Sequence, residues 1–149
     1  MKTAQLTTVR FKHDEATGTF PSDALRWRRS SIGNPVFSAR QASVQGLVRD
    51  VACPIQNHKS TATDFNLDCA LACARSGSPL IILTRTGDIY FPISDQMPDP
   101  DQRAKLMPFV GKFVDATGMV YTRNGTRTIA IQNIKELKDV KLKTKDSGD

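Results

Sequence analysis

The chain has 149 residues, of which 39% are apolar and 24% are charged, and its formal net charge is +6. This length and composition suit one globular domain with a single core and additional segments. The sequence contains no run of about 18 apolar residues, which predicts that no helix spans a membrane. It also lacks an apolar leader, so we expect no secretory signal in this chain; the compartment stays open, and a leader before residue 1 would make the protein an exported one.

The positive charge is concentrated at the start of the chain. Residues 1–41 carry seven Lys or Arg and three Asp or Glu, a net of +4, whereas residues 42–134 carry nine and eight, a net of +1. A nearly neutral central region argues against a folded domain that grips a polyanion over its whole surface.

Residues 1–43 are predicted to form an extended basic arm, because Gly and Pro interrupt them repeatedly. The arm contains a basic cluster with the chain's single Trp, namely Arg26, Trp27, Arg28 and Arg29. Such a cluster can contact phosphate, an acidic lipid head group or an acidic protein surface, and we assign it to a protein partner. The alternative is a solvated basic loop whose Trp packs onto the domain.

Five short strands are predicted between residues 44 and 137. Val44–Cys53 is the first, and Leu80–Ile93 contains a hairpin with Gly87 in its turn. Residues 112–134 contain a second hairpin around Asn124-Gly125, a pair typical of two-residue type I′ turns. That turn pairs Tyr121 with Thr128 and predicts one buried face, formed by Val114, Ala116, Gly118, Val120, Ile129 and Ile131.

Two helices are predicted to lie between these strands. The first runs from about Phe65 to Ser76, with Asp64 as its N-cap and Gly77 after its end, and it carries many small residues. A shorter helix is predicted over 102–109. The order of elements indicates a mainly β protein with a five-stranded OB-like barrel at 44–137 and a Cys-bearing helical insert between strands 1 and 2. Residues 138–149 are predicted to be a charged, disordered tail.

The insert also carries a sequence pattern, formed by Asp50-Val51-Ala52-Cys53, Cys69-Ala70-Leu71-Ala72-Cys73 and Gly77-Ser78-Pro79. This pattern resembles that of small bacterial OB-like barrel domains with the order D-x-x-C, H-x-x-C-A-x-x-x-C and G-x-P. The resemblance implies an OB-like barrel and a shared role for Cys53, Cys69 and Cys73, but no assigned function. Asn66 stands where those domains have His.

The three cysteines permit several kinds of site. Cys69 and Cys73 are four residues apart, which places both sulfurs on one face of a helix. With Cys53 and His58 they could bind zinc or another thiophilic metal through three thiolates and one imidazole. A disulfide from Cys53 to Cys69 or Cys73, redox chemistry, and inert packing of buried thiols are the alternatives.

Three functions compete. We predict a non-enzymatic binding or assembly module, because the sequence contains no G-x-S-x-G, P-loop or dinucleotide-binding glycine pattern. One alternative is a small metal-binding or redox protein that uses the cysteines. Another is an OB domain that binds single-stranded nucleic acid, whose stacking and phosphate-binding side chains would be Tyr90, Phe91, Tyr121, Arg123 and Arg127.

Overall fold

A computed structural model describes residues 36–145 of the chain. Seven strands and three helices form in this range. The strands are β1 (Phe37–Asp50), β2 (Asp64–Asn66), β3 (Leu80–Leu83), β4 (Ile89–Ile93), β5 (Phe113–Arg123), β6 (Thr126–Glu136) and β7 (Lys143–Lys145). The helices are α1 (Ala52–Gln56), α2 (Leu67–Arg75) and α3 (Arg103–Leu106), and a 3-10 turn, Met107–Phe109, follows α3.

Five strands close into a barrel in the order β1-β3-β4-β6-β5. β4 and β6 run parallel, and the other neighbouring strands of the barrel run antiparallel. The short helix α3 lies between β4 and β5 in the chain. This architecture confirms the predicted mainly β, five-stranded OB-like barrel with a helical, Cys-bearing insert between its first two strands.

The hairpin of β5 and β6 follows the predicted register. Tyr121 pairs with Thr128, and Asn124 and Gly125 have φ values of 48° and 86°, as a type I′ turn requires. Gly118 lies at a bulge, where a Cβ atom would stand 2.0 Å from the carbonyl oxygen of Ala130. A side chain therefore cannot be accommodated at this bend of the barrel.

β1 differs from its prediction at both ends. It begins at Phe37, because it pairs with β5 from Phe37 onward, and it then pairs with β3 as far as Asp50. At Gly46, where the pairing passes from β5 toward β3, a Cβ atom would lie 2.5 Å from the carbonyl oxygen of Leu83. The strand ends at Asp50, so Cys53 lies in α1 and not at a strand end.

The apolar side chains form two clusters. The inner cluster holds the face predicted from the hairpin and is formed by Val44, Val48, Ala74, Leu80, Ile82, Leu106, Val110, Val114, Ala116, Val120, Ile129 and Ile131. The outer cluster is formed by Leu47, Ala62, Phe65, Ala70, Ile81, Leu83 and Phe113. Helix α2 contributes Ala74 to the inner cluster and Ala70 to the outer one, and this double contact holds the insert against the barrel.

The insert also pairs with the end of the described chain. β2 and β7 form a parallel two-stranded sheet in which Phe65 lies opposite Thr144. Leu137, Val140 and Leu142 pack against the outer cluster on the way to β7. Residues 146–149 of the predicted tail lie outside the described residues, as do residues 1–35 of the predicted arm.

Candidate metal centre

The three cysteines come together beside the barrel. Their sulfur atoms all lie within 4.8 Å of one another, and the Sγ atoms of Cys53 and Cys69 are separated by 3.3 Å. Cys69 is exposed, and Cys53 and Cys73 are half-buried. Residues 16 and 20 positions apart in the sequence are thus gathered into one cluster of soft ligand atoms that solvent can reach.

Helix α2 positions two of the three thiols. Asn66 is its N-cap, and the Asn66 Oδ1 atom accepts a hydrogen bond of 2.8 Å from the backbone N–H of Cys69. Ala70 and Ala74 are fully buried, so the adjacent positions Cys69 and Cys73 fall at the edge of the buried face. The spacing of four residues places both sulfurs on one face of the helix, as the sequence predicts, and that face lies beside the barrel.

The predicted cap of α2 is wrong. Asp64 lies in β2, where it pairs with Lys143 and forms an ion pair of 3.2 Å with Lys145. Strand pairing continues through Asn66, and the helix therefore starts at Leu67. At its other end, Gly77 has the positive φ predicted for the residue after the helix.

Helix α1 positions the third thiol. The chain leaves β1 at Asp50, and the Asp50 Oδ2 atom accepts a hydrogen bond of 2.9 Å from the backbone N–H of Cys53. The carboxylate thereby satisfies a donor at the start of this short helix, whose N-cap residue, Val51, makes no side-chain hydrogen bond. Cys53 is held in place by a side chain that is itself fully buried.

A buried ion pair supports this arrangement. Arg49 is 1% exposed and Asp50 0%, and their side chains approach to 3.3 Å. Arg49 also donates a hydrogen bond of 2.6 Å to the Ser60 hydroxyl, and its guanidinium carbon lies 5.7 Å from the centre of the Phe65 ring. The pair therefore connects the end of β1 with the loop after α1 and with β2. It was missed in the sequence, although Asp50 begins the D-x-x-C pattern.

The predicted disulfide is not formed. All three cysteines are free thiols, and the 3.3 Å between the Sγ atoms of Cys53 and Cys69 is well beyond a bonded distance of about 2.05 Å. A contact at this distance is a thiol–thiol hydrogen bond. The cluster therefore presents three separate sulfur ligands.

The surroundings favour the protonated form of two thiols. Burial is the largest cause that raises the pKa of Cys53 to about 11, followed by the hydrogen bond with Cys69 and the negative charge of Asp50. Burial also raises the pKa of Cys73, and Asp50 is again the largest charge that contributes. A metal ion that binds here must displace these protons.

His58 lies apart from the cysteine cluster. Its side chain is exposed and lines a cavity of about 270 Å³ with Ser60, Thr61 and Arg85 among its neighbours. Within residues 36–145, the cysteines are grouped with no His, Asp or Glu close enough to share an ion. Asn66, which stands at the His position of the resembling domains, acts here as a helix cap.

The residues predicted to bind nucleic acid are divided by the fold. Tyr90 packs against the inner cluster, and Arg127 forms an ion pair of 2.9 Å with Asp88. Phe91 and Tyr121 both lie opposite Thr128, so they share one row across β4, β6 and β5. Arg123 is exposed at the end of the hairpin.

The basic cluster Arg26, Trp27, Arg28 and Arg29 lies outside the described residues. Among the helices of residues 36–145, none is long and apolar enough to cross a membrane. Comparisons of the chain with protein-family models, with curated proteins and with solved structures gave no match.

Proposed function

We propose that this chain is a non-enzymatic module that binds one thiophilic metal ion through the thiolates of Cys53, Cys69 and Cys73. The observation that carries the proposal is the convergence of three sulfur atoms within 4.8 Å of one another. The barrel serves as a rigid scaffold, because α2 is anchored by buried alanines and α1 by the buried Asp50.

The distances suit a single ion. Sulfur ligands that stand about 2.3 Å from one metal ion are about 3.8 Å from one another in a tetrahedron. The Sγ atoms of Cys53 and Cys69, at 3.3 Å, would have to move apart slightly. Two sulfur atoms at the limit of 4.8 Å would have to approach each other by about 1 Å. We expect a rotation of the exposed Cys69 side chain to supply this change.

The ligand set selects the class of metal. Thiolates prefer soft ions such as Cu(I) and borderline ions such as Zn(II), whereas Mg(II) and Ca(II) prefer oxygen. With three sulfurs and an exposed Cys69, the site leaves a further coordination position open toward solvent. This differs from the predicted closed zinc site, in which His58 is the fourth ligand.

Metal titration of the reduced protein tests the proposal. Cd(II) added under anaerobic conditions should bind with a stoichiometry of one, produce sulfur-to-metal charge-transfer absorbance, and remove three thiols from reaction with a thiol reagent. Each of C53S, C69S and C73S should weaken binding by at least about tenfold. H58A is the matched control and should bind as the unchanged protein does. A folded protein that keeps three reactive thiols in the presence of Cd(II) would refute the proposal.

The predicted role in protein assembly rests on the arm and is a separate proposal. It requires the basic cluster around Trp27 to bind a partner with an acidic surface. Replacing Arg26, Arg28 and Arg29 together by Ala should then abolish co-purification of such a partner while Cd(II) binding is retained. Unchanged co-purification would contradict the role of the arm without affecting the metal site.

A further inference from the structure

Among residues 36–145, Asp50 is the one buried acidic side chain, and it contacts the metal-binding elements directly. Its Oδ2 atom accepts the N–H of Cys53 at 2.9 Å, and its Oδ1 atom lies 3.3 Å from the guanidinium of Arg49. Both side chains of this pair are buried, at 0% and 1% exposure, so water screens their charges weakly. The carboxylate is therefore a fixed negative charge beside the thiols.

The two charges of the pair act unequally on the cluster. The Asp50 carboxylate contacts the cluster directly, because its Oδ2 atom accepts the N–H of Cys53 at 2.9 Å. Arg49 points instead toward the Ser60 hydroxyl, at 2.6 Å, and the Phe65 ring, at 5.7 Å. The cluster consequently lies in a field that disfavours added negative charge.

The charge of the metal complex decides how strongly this field acts. When an ion of charge n binds, three thiols release three protons and the resulting complex carries a charge of n minus three. A monovalent ion gives a complex of charge −2, and a divalent ion gives one of charge −1. At any equal number of thiolates, the monovalent complex is one unit more negative, and it is repelled more strongly by a neighbouring carboxylate.

We propose, on the basis of the proposed metal-binding function, that Asp50 determines specificity by biasing the three-cysteine site toward divalent ions over monovalent ions. Asp50 does so without being a ligand, through its charge, while its hydrogen bond positions Cys53. A purely structural role would weaken the binding of both classes of ion alike, whereas a charge effect changes their ratio.

The experiment compares the affinities of the reduced protein for Cd(II) and for Ag(I), each measured by competition with a chelator of known affinity. D50N keeps an oxygen acceptor for the Cys53 N–H but removes the charge. We expect the ratio of Ag(I) to Cd(II) affinity to rise by about tenfold, the effect of one unit of charge partly offset by Arg49. D88N removes the Asp of another Asp–Arg pair, at 2.9 Å from Arg127, and should leave the ratio unchanged.

A second variant covers the case in which D50N does not fold, since it leaves Arg49 buried without a carboxylate. R49M/D50N removes both charges, and its ratio of Ag(I) to Cd(II) affinity should rise by a smaller factor, because Asp50 contacts Cys53 whereas Arg49 is directed toward Ser60. An unchanged ratio in folded variants that bind both ions would overturn the role of Asp50. Failure of the unchanged protein to bind either ion would instead overturn the proposed function.

Discussion

At the scale of single residues, Cys53 differs from a reactive nucleophile. A thiol that reacts readily has a lowered pKa and sits near positive charge. Here the pKa of Cys53 is raised to about 11 by burial, by its hydrogen bond with Cys69 and by Asp50. The thiol is therefore protonated and weakly nucleophilic near neutral pH, a state that suits a ligand exchanging its proton for a metal ion better than it suits a redox centre.

This protonation state predicts a steep dependence of metal affinity on pH. Since Cys53 and Cys73 have raised pKa values, both are protonated between pH 6 and pH 8, and each releases one proton when the ion binds. The affinity for Cd(II) should rise by about tenfold per pH unit for each proton released. Titrations at pH 6, 7 and 8 check this, and C53S should lower the slope by one proton. An affinity that does not change with pH would mean that the metal ion does not displace protons from the thiols.

At the scale of elements, the start of α2 connects helix stability with the site. Asn66 accepts the Cys69 N–H at 2.8 Å, so the cap orients the first turn, which carries one of the three sulfurs. A frayed first turn would leave Cys69 without a fixed position relative to Cys53 and Cys73.

We therefore expect N66A to lower the free energy of unfolding by about 1 kcal/mol, the usual contribution of an Asn cap. The affinity for Cd(II) should also fall, because the free energy needed to order the first turn would then reduce the net free energy of binding. N66D is the matched control, since Asp caps helices equally well. Its free energy of unfolding should lie within about 0.5 kcal/mol of that of the unchanged protein. Chemical denaturation and metal titration measure the two effects. Equal stability of N66A and N66D would show that the cap is dispensable.

At the scale of the whole molecule, local patterns predicted the barrel and the helix of the insert, but they did not predict the contacts that the insert makes with the barrel. The Asn124-Gly125 turn fixes the register of β5 and β6, so the buried face from Val114 to Val120 follows from the sequence alone. The start of β1 at Phe37 depends instead on pairing with β5, which is distant in the chain. The burial of Asp50 and the capping by Asn66 depend likewise on contacts between the insert and the barrel, which no local periodicity reveals.

The same reasoning explains why the predicted metal site included His58, whereas the observed cluster contains only the three cysteines. The spacing of Cys69 and Cys73 is set by one helix and is predictable, but the position of His58 is set by a loop whose path follows the buried Arg49 and its contact with Ser60. Its distance from the cysteines therefore has no signature in the sequence. The pairing of β2 with β7 has none either, because Lys143–Lys145 is a short charged segment with little strand propensity.

The contact between the insert and the end of the chain yields the last prediction. Leu142 packs against the outer cluster just before β7, whereas its neighbour Lys141 is exposed. L142S should lower the free energy of unfolding by about 1 kcal/mol, the effect of removing a half-buried leucine side chain. K141S, the matched control, should change it by less than about 0.5 kcal/mol. Because β7 pairs with β2 directly before α2, L142S should also increase hydrogen exchange at Phe65. Equal stability of the two variants would show that the packing of Leu142 against the outer cluster contributes nothing to the stability of the fold.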